Sequence, residues 1–284
     1  MKIHLFSMLC LDENEYPDLN LYRHFISYYK DLGIESNCFN IMPCGVDNYE
    51  NNLKEFQKIN TVNGIPNRNL ISKKYDIFEA NNILLKWQET IDKEDWVLFP
   101  DPDEFMEYGR FDNIPRCVEF LEKNNYYALR GEFEDRITNN LILKKVEYPE
   151  DLFSQFPKRA SITKYIIGAC SLKILVSKAK IELRTGHHDI LWNTKKSRPA
   201  LLSDKLLSTD PEYWLYSPLP APTVYNGIKE YDPSFKVYHF KWTESLIHKL
   251  KNPNKHKDLY NMFNEDRKKT NEIITGNKFN IIIC

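Results

Sequence analysis

Glycine and closely spaced cysteines are scarce in this chain. There are nine glycines among 284 residues, and no G-x-G-x-x-G or Walker-type run occurs. This argues against the glycine-rich phosphate loops of dinucleotide-binding and P-loop proteins. The six cysteines are scattered with no C-x-x-C pair, so neither a zinc knuckle nor a dense disulfide framework is expected. We therefore expect reduced cysteines and a cytoplasmic protein.

Charge and hydrophobicity are not concentrated enough to direct the chain to nucleic acid or into a membrane. The 39 basic and 40 acidic side chains leave a formal net charge of −1, which excludes a general attraction to nucleic acid. No apolar stretch approaches the ~20 residues that span a bilayer, and residues 2–9 are interpreted as a strand rather than a signal peptide. The Lys-rich end is either a solvated helical face or a peripheral contact with a membrane that bears a lipid-linked acceptor.

Strand-like and helix-like segments alternate along the first part of the chain. Apolar runs predict buried strands at 2–9, 34–42 and 95–100, and amphipathic periodicity predicts helices at 17–33, 48–60 and 75–90. This alternation is typical of βαβ units and a mainly parallel, Rossmann-like sheet flanked by helices. Ligands bind beyond the carboxyl ends of the strands in such sheets.

The pattern changes after residue 110, where loops become longer. The segments that we predict there are a short helix at 113–124 and strands at 126–137, 141–148, 170–176 and 236–242. We interpret residues 1–242 as one α/β domain and residues 243–284 as a helical, basic C-terminal extension packed on it. The sequence does not indicate an oligomeric state.

A cluster of carboxylates follows a predicted buried strand in WVLFPDPDEFMEY, residues 96–108. The cluster consists of Asp101, Asp103 and Glu104, and two prolines stiffen its turn. Like charges this close repel one another unless a cation lies between them. A rigid group of oxygens with room for water and phosphate suits Mg²⁺ or Mn²⁺. The alternative is that the carboxylates cap the following segment or face water.

The segment DWVLFPDPDEF resembles the D-x-D segment of GT-A glycosyltransferases, and more narrowly that of family 2-like and family 92-like members with D-x-D-E-F. Further pieces match this group in the same order over about residues 3–242: SMLCLDENE, YRHFISYYKDLGI, GEFEDRI, QFP, GHHDI and YHFKW. The first-strand motif departs from the group, which usually has VKNE where this chain has CLDENE. The resemblance implies a GT-A fold and an inverting transfer from a UDP- or GDP-type nucleotide-sugar, with UDP favoured, to a glycan or other hydroxyl acceptor.

The resemblance also implies a metal site. In that group the last Asp of D-x-D binds the Mn²⁺ or Mg²⁺ that bridges the donor phosphates, a role that falls on Asp103, while Asp101 reaches the ribose or a metal-bound water. A late histidine completes the metal sphere, which makes His239 a metal candidate together with Asp101 and Asp103, and imidazole suits Mn²⁺. Strand alternation places Lys241 on the same face, facing a phosphate. The alternatives are a core histidine and a solvated lysine.

An inverting transfer needs a carboxylate base for the acceptor hydroxyl. Asp189 in GHHDI lies about as far after D-x-D as the base of family 2-like enzymes, and Asp135 in GEFEDRI is the rival. The candidates for substrate contacts are Glu104, Arg136, His187, His188 and Trp192. The alternatives are a polar loop around the histidines, a structural Asp–Arg pair and a core aromatic residue.

Residues near the ends of the first two strands are candidates for the donor nucleotide. These residues are Cys10, Asp12, Glu13 and Asp47. Lys73 precedes a predicted helix and is a candidate for the diphosphate oxygens, and Asp101 and Lys241 complete the donor candidates. A solvated surface is the alternative for each. Two competing functions use the same features. A nucleotidyltransferase would use the aspartate pair on a nucleoside triphosphate, and a non-catalytic sugar-binding or scaffold protein would retain only the fold.

Overall fold

The computed structural model describes residues 1–13, 17–73, 77–124, 126–139, 143–160, 163, 172–183, 185–188 and 235–244. Its helices are α1 (Leu19–Asp31), α2 (Glu50–Val62), α3 (Ile77–Gln88), α4 (Ile114–Lys123) and α5 (Leu152–Gln155). Its strands are β1 (Ile3–Cys10), β2 (Phe39–Cys44), β3 (Trp96–Leu98), β4 (Glu104–Tyr108), β5 (Ala128–Ile137), β6 (Lys158–Ala160), β7 (Leu172–Lys178) and β8 (Phe235–His239). Two of the predicted site residues, Asp189 and Trp192, and nearly all of the predicted C-terminal extension lie outside the described residues.

The strands form one mixed sheet in the order β2-β1-β3-β7-β5-β8-β4, with β6 added to β5. β1 runs parallel to β2 and β3, as the βαβ pattern predicts. β7 is antiparallel to both of its neighbours, and β4 and β6 are also antiparallel to their partners. β8 is parallel to β5. Antiparallel pairs therefore outnumber the single parallel pair among β3 to β8, and the expectation of a mainly parallel sheet is wrong for this half.

The parallel half contains the point where the strand order reverses. The chain leaves β1 through α1 to β2 on one side, and then passes through α2 and α3 to β3 on the other side of β1. Connections that depart in opposite directions open a crevice beyond the carboxyl ends of the two strands, where ligands of α/β sheets bind. The segments after Cys10 and Leu98 therefore face this crevice.

Helix α1 is capped by a neighbouring side chain and is hydrogen-bonded to the strand next to the crevice. Asp18 caps the helix by accepting a hydrogen bond from Leu21 N (2.9 Å). The helix buries the face that includes Phe25 and Tyr29. Tyr29 Oη donates to the carbonyl of Glu104 (3.0 Å) and accepts from Met106 N (3.1 Å). The helix therefore fixes the strand that follows the carboxylate turn.

The predicted secondary structure differs from the structure in two details. No strand was predicted at 104–108, where β4 pairs with β8. The predicted strand at 141–148 is absent from residues 143–148, where a single bridge joins Lys144 to Thr243. Within the described part of the chain, no helix is both long and apolar enough to cross a membrane.

Candidate functional site

The carboxylate turn between β3 and β4 is closed by its own hydrogen bonds. Glu104 N donates to the carbonyl of Asp101 (2.9 Å), and Asp101 N donates to Glu104 Oε2 (2.8 Å). Ser7 Oγ on β1 donates to the carbonyl of Pro100 (2.7 Å), which ties the turn to the neighbouring strand. Glu104 is buried, whereas the Asp101 side chain is 58% exposed. Asp101 therefore faces solvent, whereas the Glu104 carboxylate is buried and accepts a hydrogen bond within the turn. This position does not support a direct contact of Glu104 with a substrate.

Lys173 of β7 lies beneath this turn and supplies the cation that the carboxylates require. Its ammonium pairs with the Glu104 carboxylate and lies 3.5 Å from Asp101 Oδ2, and its side chain is 1% exposed. Burial raises the pKa of Glu104 to about 7, although Lys173 opposes this shift. Burial would lower the pKa of Lys173, but Asp101 and Glu104 raise it above its usual value. Repulsion within the turn is therefore partly compensated without a metal. In the sequence, this buried ion pair is indicated only by the position of Lys173 inside the apolar run CSLKILV.

Asp103, His239 and Asp135 form a second charged group next to the turn. His239 Nε2 lies 3.6 Å from Asp103 Oδ2, and His239 Nδ1 lies 2.9 Å from Asp135 Oδ1. Strand pairing produces this group, because His239 is opposite Glu104 on β4 and opposite Asp135 on β5. Burial alone would lower the pKa of His239, but the two aspartates raise it to about 9.

The geometry is against Asp135 as the catalytic base. The residue is fully buried on β5, and both of its carboxylate oxygens already accept hydrogen bonds. Thr163 Oγ1 donates to Oδ1 (2.6 Å), Thr163 N donates to Oδ2 (2.7 Å), and Trp242 Nε1 is 3.4 Å from Oδ1. Burial raises the pKa of Asp135, but hydrogen bonds from His239 and Thr163 lower it below its usual value overall. The carboxylate is therefore arranged to orient His239 rather than to accept a proton from a substrate.

The Asp103–His239 pair fits a divalent cation. Ligand atoms of one ion, each about 2.1 Å from it, lie 3 Å or somewhat more apart, and the observed separation is 3.6 Å. A histidine that binds a metal through one ring nitrogen usually donates a hydrogen bond from the other nitrogen to a carboxylate or another acceptor. Asp135 is placed to accept this bond from His239 Nδ1. Within the described ranges, no group of three or more side chains could hold a metal ion. Mg²⁺ is commonly held by one or two carboxylates together with substrate phosphates, so a two-residue site suits an ion that arrives with a diphosphate.

The donor candidates after β1 and β2 lie at the crevice, and Asp12 organises them. Asp12 is buried, and its Oδ1 accepts hydrogen bonds from Val46 N (2.6 Å) and Asp47 N (2.9 Å). Cys10 Sγ lies 3.8 Å from Asp12 Oδ2. The side chains of Glu13 and Asp47 are exposed. Asp12 therefore shapes the loop after β2, and the exposed carboxylates are the ones that remain available to a ligand.

Two lysines were expected near phosphate. Lys73 pairs with Glu79 of α3, and both side chains are largely exposed. Lys241 lies beyond the end of β8 at His239 and is exposed between the buried Phe240 and Trp242. A contact of either lysine with a phosphate stays a prediction.

Arg136 is occupied within the fold rather than facing a substrate. Its guanidinium donates to the carbonyls of Phe156 (3.1 Å) and Pro157 (3.2 Å) and pairs with Glu134 (3.1 Å). It also lies 5.6 Å from the ring centroid of Tyr238. These contacts assign it a structural role in joining β5 to the segment before β6.

The two histidines of GHHDI are held by different contacts. His187 is buried and stacks on Phe99, with ring centroids 4.3 Å apart and an interplanar angle of 6°. The His188 ring nitrogen Nδ1 lies 2.6 Å from the carbonyl of Leu172. Burial, reinforced by the charge of Lys173, lowers the pKa of His188 to about 4 and that of His187 well below its usual value. Both imidazoles are therefore neutral at physiological pH.

Comparisons with known proteins do not identify a family. No family profile and no curated protein matches the sequence. Among solved structures, S. aureus TarS aligns with 63% of this chain and 28% of its own at 12% identity and a TM-score of 0.34. Mouse xyloside xylosyltransferase 1 aligns over 63% and 68% at 9% identity and a TM-score of 0.27. Mannose-6-phosphate isomerase from Helicobacter pylori aligns over 63% and 72% at 13% identity and a TM-score of 0.30. These values are too low to assign a function.

Proposed function

We propose that the protein is a metal-dependent glycosyltransferase that moves a sugar from a UDP- or GDP-type nucleotide-sugar to a hydroxyl of a glycan or other acceptor. The observation that carries this proposal is the Asp103–His239 pair, oriented by Asp135 at the carboxyl edge of the sheet. The resemblance of the D-x-D-E-F segment to GT-A enzymes supports the same conclusion. A bound Mn²⁺ or Mg²⁺ would be held by Asp103 and His239 and would stabilise the charge that develops on the departing diphosphate.

The residues of the chain perform the remaining tasks. Lys173 balances the charges of Glu104 and Asp101, so that the turn keeps its shape and presents Asp101 to the donor. Asp12 holds the loop after β2 at the rim of the crevice where the nucleoside would lie. Asp189 is the proposed base that takes the acceptor proton as the hydroxyl attacks the anomeric carbon, which gives inversion by single displacement.

Thermal unfolding with nucleotides tests this proposal. UDP or GDP is expected to raise the midpoint in the presence of Mn²⁺ and not in its absence, because the ion links the diphosphate to the protein. Asp103→Ala is expected to abolish the shift. Asp112→Ala is the matched control, since Asp112 is an exposed carboxylate paired with Arg116 outside the site.

The other outcomes separate the competing functions. A midpoint that rises only with nucleoside triphosphates would replace the proposal with a nucleotidyltransferase. A midpoint that no nucleotide changes would favour a non-catalytic scaffold. Hydrolysis of a panel of nucleotide-sugars in the presence of Mn²⁺ would then identify the donor.

A further inference from the structure

A small recess lies between β1, α3 and the turn at 185–187, directly beside Asp101. Its volume is about 30 Å³, which exceeds the ~10–15 Å³ that a cavity needs to hold one water molecule. Apolar side chains from β1, α3 and the end of β3 form part of its wall, and its polar lining consists of Ser7, Asn81, Asp101 and His187. The recess therefore has room for one hydroxyl-sized group next to the turn of the proposed donor site.

Two of the lining residues contain buried polar atoms that have no hydrogen-bonding partner among the described residues. These atoms are Asn81 Oδ1 and His187 Nε2, and each residue is only 6% exposed. Burying such an atom without a partner costs about 1–3 kcal/mol. Ser7 is different, because its hydroxyl already donates to the carbonyl of Pro100. Both atoms can therefore form a hydrogen bond with a molecule that enters the recess.

The chemistry of these two atoms selects a neutral hydroxyl. Asn81 Oδ1 can only accept a hydrogen bond, and a neutral imidazole can donate one through Nε2. A hydroxyl group can do both, by donating to Asn81 and accepting from His187. An anion would face the Asn81 oxygen and the Asp101 carboxylate. A cation would face Lys173, whose ammonium lies 3.5 Å from Asp101 Oδ2 and already balances that carboxylate.

The structure also holds the imidazole in one plane. His187 stacks on Phe99 with an interplanar angle of 6°, and it follows Gly186, whose φ of 80° a side chain would strain. A Cβ at Gly186 would lie 2.8 Å from the His188 ring. The turn is therefore built to keep His187 in the recess before any ligand arrives, which lowers the entropic cost of binding.

We propose that this recess is a subsite for one sugar hydroxyl of the nucleotide-sugar, bound by Asn81 and His187. The inference rests on the proposed function, because the recess shares Asp101 with the site at which we place the donor. Both the ribose and the transferred hexose carry hydroxyls of this chemistry. His187 would then bind a hydroxyl of the donor, and the metal would bind the donor phosphates.

Calorimetric titration in the presence of Mn²⁺ tests the subsite. The ligands are UDP, 2′-deoxy-UDP, 3′-deoxy-UDP and three UDP-hexoses: UDP-glucose, UDP-galactose and UDP-N-acetylglucosamine. Asn81→Leu and His187→Phe are each expected to weaken the hydroxyl-bearing ligand about five- to tenfold, since each removes one hydrogen bond. Asn82→Leu is the matched control, because Asn82 is the exposed neighbour on α3, and it is expected to change affinity less than twofold.

The pattern across the ligands identifies the hydroxyl. A loss seen with UDP but not with one of the deoxy nucleotides assigns the subsite to the ribose. A loss confined to a UDP-hexose assigns it to the transferred sugar. Equal affinities of the unaltered chain and both variants for every ligand would overturn the inference and leave the proposed function intact. If the unaltered chain binds none of the ligands, the proposed function fails and the sugar assignment fails with it.

A crystal structure with UDP, a UDP-hexose and Mn²⁺ keeps the inference testable if the variants do not fold. A ligand hydroxyl within hydrogen-bonding distance of Asn81 Oδ1 and His187 Nε2 is the expected result. A recess that contains only water while the bound ligand lies elsewhere would show that the two atoms serve a structural water, and would overturn the inference.

Discussion

The two aspartates around His239 predict that the metal-free protein loses stability as the pH rises toward 9. The pKa of His239 is about 9 in the folded chain, against about 6.5 for an unfolded histidine. Between these values the folded state keeps a proton that the unfolded state has released. The stabilisation is therefore fully present below pH 6.5 and is lost as the pH rises through 9. A difference of ~2.5 pKa units corresponds to about 3 kcal/mol, of which about 2 kcal/mol is lost between pH 7.5 and 9.

Urea unfolding in the presence of EDTA at pH 7.5 and pH 9 measures this loss. His239→Gln should remove most of the decrease in the free energy of unfolding between the two pH values. His24→Gln is the control, since the His24 ring is on the surface of α1 near the carbonyl of Glu147. Burial raises the pKa of Cys117 to about 12, which also lowers stability at high pH, but it does so equally in all three proteins. The difference between the proteins therefore isolates His239.

One result would refute the reasoning. If His239→Gln loses as much stability between pH 7.5 and pH 9 as the unaltered chain, His239 does not hold an extra proton in the folded state. The contacts of its ring with Asp103 and Asp135 would then not be ion pairs, and the argument that the pair is preorganised for a cation would weaken with them.

Two further predictions concern buried charges outside the metal pair. Lys173→Met should lower the free energy of unfolding in urea by about 3 kcal/mol, because it leaves the buried Glu104 carboxylate unpaired. Adding Glu104→Gln should restore part of that stability, and an unchanged urea midpoint in the single variant would contradict the pairing. Arg136→Leu should cost about 2–3 kcal/mol through lost hydrogen bonds while the Kd for UDP stays the same, and a weaker Kd at unchanged stability would restore Arg136 as a substrate contact.

Helix and strand periodicity predicted much of the first half of the fold. The segments at 17–33, 48–60 and 75–90 are confirmed as α1, α2 and α3, and those at 2–9 and 95–100 contain β1 and β3 in whole or part. These elements are predictable because each shows its buried face through residues a few positions apart. β4 was missed because its five residues begin within the carboxylate turn, and no further turn signal marks the start of a new strand.

The candidate site was predicted only where its residues are close in the sequence. Asp101, Asp103 and Glu104 stand out because three carboxylates on a proline-stiffened turn are unusual in a local window. Local sequence did not show that Glu104 turns inward. That outcome depends on how β4 pairs with β8 and on the lysine that β7 places beside Glu104.

The amino-acid sequence by itself determined the positions of the main early helices and strands, the stiff acidic turn and the absence of a dominant charge. Only the tertiary structure decided which side chains meet across strands. Lys173 reaches Glu104 from β7, and Asp135 reaches His239 from β5, over sequence separations of 69 and 104 residues. Hydrophobic periodicity records the buried face of one element at a time, whereas the register between distant strands is set when those faces pack together.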